Sequence, residues 1–275
     1  MKKRKGPNAA THVFLILGAC IMIFPFVWMA LTSLKTTTET TTMDPFVFFP
    51  AQPQWNNYIT VTEQNNYLQL YINTFAMIAL RVVCSVGFSS ISAFAFARLK
   101  FPGRDILFGL VLFQMMVPVQ IFVIPQYLMV DALGARNTIF ALLFPGLVSA
   151  FGTFLLRQFF MNMPKELEEA ARLDGCNIGQ IFFRIMLPLA KPGLIALTIF
   201  TALFAFKDLM WPLIVNTSPN AATLSSALAK IQGAYTIHYP ELMAAAVLAI
   251  WPMLAIFMVF QRKFIQGIAT TGGKL

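Results

Sequence analysis

Six stretches of this chain are long, apolar and almost free of charge, and that pattern leaves few folds open. They are residues 11–34, 73–97, 106–130, 137–156, 193–215 and 242–260. The only charges among them are Arg81 in the second and the adjacent pair Lys207 and Asp208 in the fifth. A bilayer core about 30 Å thick asks for roughly 20 residues of helix, and each stretch meets that length. Prolines lie inside them (Pro25, Pro118, Pro125, Pro145, Pro212, Pro252). Membrane helices tolerate such residues as kinks when neighbouring groups re-satisfy the backbone. The composition agrees: 58% of residues are hydrophobic and 11% charged, against about 25% charged in an ordinary soluble domain. The predicted fold class is therefore an all-α integral membrane protein of six transmembrane helices.

The first stretch follows Met1-Lys-Lys-Arg-Lys5, the positive start of a secretory signal. It runs past the 7–15 residue apolar core of such signals and shows no small-x-small cleavage site, so it is read as a retained anchor. Orientation follows from Lys and Arg in the flanks. With the N-terminus inside, 15 of the 20 basic residues fall in inner segments and four in outer ones, with Arg81 inside a span. Both termini are expected in the cytoplasm. The net charge of +9 is accounted for by this asymmetry, and no nucleic-acid partner is expected. The organisation is then a basic cytoplasmic N-terminus (1–10), a six-span domain (11–260) and a cytoplasmic tail (261–275), with an inner loop at 161–192.

No enzyme chemistry is visible. Cys20, Cys84 and Cys176 are far apart, and His12 and His238 are isolated, so no metal-ligand spacing exists. The tail Gly267-Ile-Ala-Thr-Thr-Gly-Gly-Lys274 comes near a phosphate-cradling loop, but its spacing is one residue off. No cofactor is expected in the chain itself. An ion-coupled secondary transporter is the competing reading. It would require buried ionisable groups near the midplane and internal repeats, and neither is evident.

The inner loop between the fourth and fifth stretches is the most charged cytoplasmic piece. Pro164 suits a first helical position. Glu166, Glu168 and Glu169 suit the positive end of a helix, and Gly175 suits a left-handed terminator. Ala170 and Ala171 leave a shallow surface that another backbone can approach. A second helical segment is expected from Asn177 to Leu187, stopped by Pro188, with Ile181, Phe182, Ile185 and Leu187 on its apolar side. An amphipathic cytoplasmic helix between spans four and five is thus predicted, either lying on the membrane surface or presented to a partner.

The wording Glu169-Ala-Ala-Arg-Leu-Asp-Gly175, followed by Ile185-Met-Leu-Pro188, resembles the EAA loop of ABC-importer permeases. Further resemblance to the maltose-transporter type of sugar permease, and to its smaller permease partner, runs through Pro118, Pro125, Gly134, Asn137-Thr138, Phe154-Leu-Leu-Arg157, Pro192, Trp211-Pro212 and Gln261-Arg262, covering about residues 10 to 270. The resemblance implies a pore-forming subunit in the bacterial cytoplasmic membrane. Its implied partners are a second, homologous permease, two cytoplasmic ABC ATPase subunits that bind the ATP and Mg, an extracytoplasmic sugar-binding protein, and lipid. It implies that Glu169, Ala170, Ala171, Asp174 and Gly175 shape an ATPase-coupling helix, which Ile185, Leu187 and Pro188 anchor to span five. Where the family has Trp-Asn-Glu or Trp-Asn-Asp, this chain has Phe206-Lys207-Asp208. Asn73, Gln114, Gln120 and Asp208 are the polar candidates for a translocation pathway, although polar contacts between helices serve equally well.

Overall fold

The computed structural model describes residues 9–42, 46–232 and 238–272, and among these the chain is helical with no strand. The order is α1 (Ala9–Thr32), α2 (Thr37–Thr41), α3 (Asn56–Gln64), α4 (Tyr67–Arg98), α5 (Arg104–Met116), α6 (Val123–Ala132), α7 (Ile139–Leu143), α8 (Ala150–Met161) and α9 (Glu166–Leu173). There follow α10 (Ile178–Ile181), α11 (Leu187–Leu189), α12 (Lys191–Lys207), α13 (Met210–Val215), α14 (Leu224–Gln232) and α15 (Tyr239–Gly272). Among the described residues, Thr11–Thr32 and Tyr67–Arg98 are each long and apolar enough to cross a membrane; three bent pairs raise the number to at most five, and Tyr239–Leu254 is a shorter apolar stretch. The expected tail from residue 261 continues α15 as far as Gly272; residues 1–8 and 273–275 lie outside the described ones.

Contacts divide the chain into two units. The first comprises Met1–Asn66 and Leu228–Leu254. The apolar window of its α1 has no buried residue, as a lipid-facing helix would. Beyond α1, Lys35 is 1% exposed; its Nζ donates to the Val47 carbonyl at 2.6 Å and lies 4.2 Å from the centre of the Trp28 ring. Burial lowers the pKa of this ammonium, while the ring face compensates its charge.

The second unit, Tyr67–Ala227 with Ala255–Leu275, is organised on α4. Leu70, Asn73, Thr74, Met77, Arg81, Ser85, Ser89 and Ala93 are buried at helical spacing along one stripe of it. Small residues let α8 approach this stripe closely. A Cβ on Gly152 would lie 2.6 Å from Ser89 Oγ and 2.9 Å from a Leu197 methyl, which joins α12 to the same contact. Two apolar cores result. One holds Met77, Val130, Ala141, Leu142, Ala205, Trp211 and Val215. The other holds Ala93, Phe94, Leu156, Phe160, Ala171, Ile181, Phe182, Met186, Ala190 and Leu197.

Three of the expected continuous spans are broken. Arg104–Met116 and Val119–Ala132 meet at 101°. Pro118 has no N–H to give, and Val117 before it is extended (φ −84°, ψ 128°). In the fourth, Pro145 ends α7, and Ser149 caps α8 by accepting from the Gly152 N–H at 2.9 Å, with a bend of 51°. In the fifth, α12 stops at Asp208, which is extended, and α13 restarts at Met210.

Freed backbone groups at these breaks are met by side chains. Pro145 cannot donate to Ala141; the Ala141 carbonyl accepts instead from the Phe144 N–H and from Trp211 Nε1, the latter at 2.8 Å. The next carbonyl, Leu142, accepts from Arg81 Nε at 2.8 Å and Nη2 at 2.5 Å. Arg81 Nη1 lies 2.8 Å from Asp208 Oδ2, where the side chains are 8% and 21% exposed. Asp208 also accepts from the Trp211 N–H at 3.4 Å, and its carbonyl accepts from Ser225 Oγ at 2.8 Å. One arginine thus ties α4 to the breaks in both neighbouring segments.

Replacing Arg81 with Leu should therefore strand Asp208 and the Leu142 carbonyl together. The expected loss is about 1–3 kcal/mol, the penalty for a buried polar group left unmade. Thermal unfolding in detergent measures it; in a double-mutant cycle with Asp208→Asn the two losses should be clearly less than additive.

Candidate coupling site

The segment after α8 builds a short, exposed helix. It begins at Glu166, two residues later than Pro164 had suggested. Lys165 supplies the cap backbone, its carbonyl accepting from the Glu168 and Glu169 N–H groups at 3.0 and 3.1 Å. Pro164 thus precedes the helix, where its fixed φ and missing N–H are harmless. Glu166, Glu168 and Glu169 occupy the first turn and Arg172 the last, both complementing the helix dipole.

The far end closes at Gly175, whose φ is +79°. Its N–H bonds to the Arg172 carbonyl and the Cys176 N–H to the Ala171 carbonyl, at 3.0 and 2.9 Å. A left-handed residue is what this reversal requires, and glycine adopts it without steric penalty. Asp174 is the C-cap, and its N–H bonds to the Ala170 carbonyl at 3.0 Å.

The buried residues of α9 are Glu168 and Ala171. Ala171 packs into the apolar core with Phe94, Leu156 and Phe160. Leu167, Glu169, Ala170, Arg172, Leu173, Asp174 and Gly175 are exposed, Leu173 at 90%. The two alanines are thus divided: Ala171 seats the helix, and Ala170 belongs to the free surface.

The second segment runs differently from the expectation. Asn177 caps α10 in a reciprocal box with Gln180, at 2.9 and 2.8 Å. The chain then takes a π-helical turn over Phe182–Met186, and the Leu187 N–H bonds to the Phe182 carbonyl. Pro188 does not stop the helix. A proline here has no N–H for the Arg184 carbonyl and would clash with it in a regular helix; the wider π turn opens the room. The stop comes at Ala190, followed by a 75° bend into α12. Ile185 and Leu187 are half-buried against the apolar core, whereas Pro188 is exposed. Ile181, Phe182 and Met186 are the deeper anchors, at 2%, 6% and 0% exposure.

Sequence reasoning missed the ion pair that seats α9. Arg98, the last residue of α4, has its Nε 3.0 Å from Glu168 Oε1, with side chains 6% and 10% exposed. Arg98 Nη2 also donates to the carbonyls of Phe160 and Met163. The one available signal was a glutamate, Glu168, in the acidic first turn and an arginine at a span end, and spacing alone does not join residues 70 apart.

The pathway candidates fall in separate places. Asn73 is buried; its Nδ2 donates to the Asn220 and Ala222 carbonyls at 2.9 and 2.8 Å, and its Oδ1 accepts from Gln69. It borders a cleft of about 160 Å³ with Asn137, Thr138, Ile139, Asn216, Ser218 and Asn220. Gln114 and Gln120 are exposed on either side of the break at Pro118. Asp208 is engaged by Arg81. Among the described residues, no group of His, Cys, Asp or Glu could hold a metal ion.

Known proteins resemble this chain. The family model for the binding-protein-dependent transport system inner membrane component matches residues 85–270. An arabinooligosaccharides transport system permease protein of Halalkalibacterium halodurans is 36% identical over 258 residues, covering 93% of this chain and 92% of that protein. An sn-glycerol-3-phosphate transport system permease protein of Salmonella typhi is 31% identical, over 98% of both. Among solved structures, a bacterial ABC transporter involved in import of the acidic polysaccharide alginate superposes with a TM-score of 0.77 at 22% identity. That superposition covers 94% of this chain and 99% of the other and supports the fold.

Substituting Gly175 with Val should fray α9 from its C-terminal end, because a β-branched residue resists φ near +79°. Amide exchange across residues 166–174 should quicken, and Gly175→Asn should be distinctly milder.

Proposed function

This chain belongs to the family of binding-protein-dependent transport system inner membrane components, and we propose that it is the pore-forming permease subunit of a carbohydrate ABC importer. The observation that carries the reading is the helix Glu166–Leu173, with Leu167, Ala170 and Leu173 exposed, inside the matched region. Relatives of nearly equal length are named as transport permeases for arabinooligosaccharides and for sn-glycerol-3-phosphate. An oligosaccharide or similar polyol is the solute class that fits them.

The chain crosses the cytoplasmic membrane six times, through α1, α4, α5 with α6, α7 with α8, α12 with α13, and α15, and both termini lie in the cytoplasm. The count of basic residues supports this orientation. It pairs with a second, homologous permease. Two ABC ATPase subunits supply ATP hydrolysis, and an extracytoplasmic binding protein delivers the solute. The α9 surface formed by Glu169, Ala170, Asp174 and Gly175 docks into an ATPase subunit, with Ala171 holding it from behind. Ile185, Leu187 and Pro188 carry its movement into α12. ATP binding closes the ATPase pair and switches the pathway between outward and inward access. Asn73, Gln114, Gln120 and Asp208 line or border that pathway, Asp208 through its charge balance with Arg81.

Coexpressed with its neighbours and purified in mild detergent, the chain should bring down an ABC ATPase. Ala170→Trp and Glu169→Lys should leave membrane insertion intact and lower ATP-driven uptake at least about tenfold, the loss expected when about 1.4 kcal/mol of interface contact is removed. Uptake that survives ATP depletion and collapses with an uncoupler would overturn the reading.

A further inference from the structure

Helix α9 has only a small footing. Its two buried side chains are Glu168 and Ala171. Ala171 offers one methyl to the apolar core, a contact that can slide. Glu168 meets Arg98 as a close, buried charge pair. The guanidinium is anchored through Nη2, which donates to two carbonyls, Phe160 in the last turn of α8 and Met163 in the connection to α9; its Nε lies 3.0 Å from Glu168 Oε1 as an ion pair whose two atoms share no aligned hydrogen bond. The platform behind it is fixed by a second arginine. Arg157 of α8 donates from Nε to the Phe96 carbonyl of α4 at 3.3 Å, and its guanidinium stacks 4.0 Å over the Phe108 ring of α5.

We propose that Arg98 and Glu168 are positioning residues that form a strut. It makes α9 and the ends of α4 and α8 move as one body. Movement imposed on α9 then reaches α4 and α8 sideways through the ion pair, and does not travel only along the chain through the π turn into α12. The inference rests on the reading of α9 as the ATPase-coupling helix. A surface helix with no mechanical task has no use for a buried charge pair. Such a pair is expensive to desolvate, and an apolar replacement serves stability as well or better.

The test uses the whole transporter, reconstituted with its ATPase and binding protein, and the variants Glu168→Gln and Arg98→Lys. Glu168→Gln keeps the shape and removes the charge. ATPase copurification should be unchanged, while ATP hydrolysed per solute imported should rise by about 2- to 30-fold, the span of coupling changes reached by single residues. Arg98→Lys, which keeps the charge, should be intermediate. A purely structural role would lower the amount of complex and leave the ratio per complex unchanged; that result overturns the proposal. A second measurement places spin labels at Leu173→Cys and Lys100→Cys in a background without Cys20, Cys84 and Cys176. Their separation should hold steady on ATP addition with the native pair and broaden in Glu168→Gln. A native separation that shifts by about a helical turn or more also overturns the strut. If the native chain neither binds an ATPase nor supports ATP-driven uptake, the parent reading fails, whatever the variants do.

Discussion

A backbone carbonyl that has lost its helical partner must find another donor, and in a medium without water it must find it within the protein. This requirement explains most of the polar chemistry in an otherwise oily chain. The breaks at Pro145 and Asp208 leave carbonyls open to further donors, and these come from distant segments: Trp211 for Ala141, beside its local bond from Phe144, and Arg81 for Leu142. Asn73 does the same for the carbonyls of Asn220 and Ala222. Thr74 serves in both directions, donating to Leu70 and accepting from the Leu224 N–H at 3.0 Å. Each such bond is a cross-link between segments. Irregular backbone and interhelical cohesion are therefore one phenomenon in this protein.

The same logic separates the two ends of α4. Toward its start, neutral amides and hydroxyls hold the short elements around the cleft that Asn73 borders. Toward its end, two arginines grip carbonyls at the last turns of α4 and α8. Between them, Ser89 and Gly152 bring α4 and α8 together without bulky side chains. The arrangement is stiff where α9 sits and more finely divided where the chain is broken.

Much of this was legible in the sequence, for identifiable reasons. Hydropathy and length located the apolar segments, because lipid imposes one dominant constraint. The α9 helix was legible from its acidic first turn and Gly175, whose positive φ has few substitutes. The breaks were less so. Pro118 and Pro145 were read as kinks, as Pro25 is within α1, but whether a proline bends or ends a helix depends on which donors surround it. Pro188 went the other way: it was taken as a stop, and a π turn absorbed it. The role of Asp208 was ambiguous because its partner is 127 residues away. Arg98 and Glu168 escaped notice for the same reason, since each looks like an ordinary surface charge until the fold brings them together.

That separation in sequence has a consequence for biosynthesis. Arg81 enters the bilayer long before the groups that satisfy it exist: Leu142 lies 61 residues further on and Asp208 a further 66 after that. At about 5–20 residues per second, a ribosome needs roughly 6–25 s to reach Asp208. Throughout that interval the nascent helix holds a cation without its counter-ion, and insertion scales set the cost of an arginine at a helix centre at about 2.5–3.5 kcal/mol, less toward the ends. The segment must wait at the translocon, borrow water or lipid phosphate, or sit shallow until its counter-ion emerges. The finished helix bundle is thus settled late, by the arrival of one aspartate.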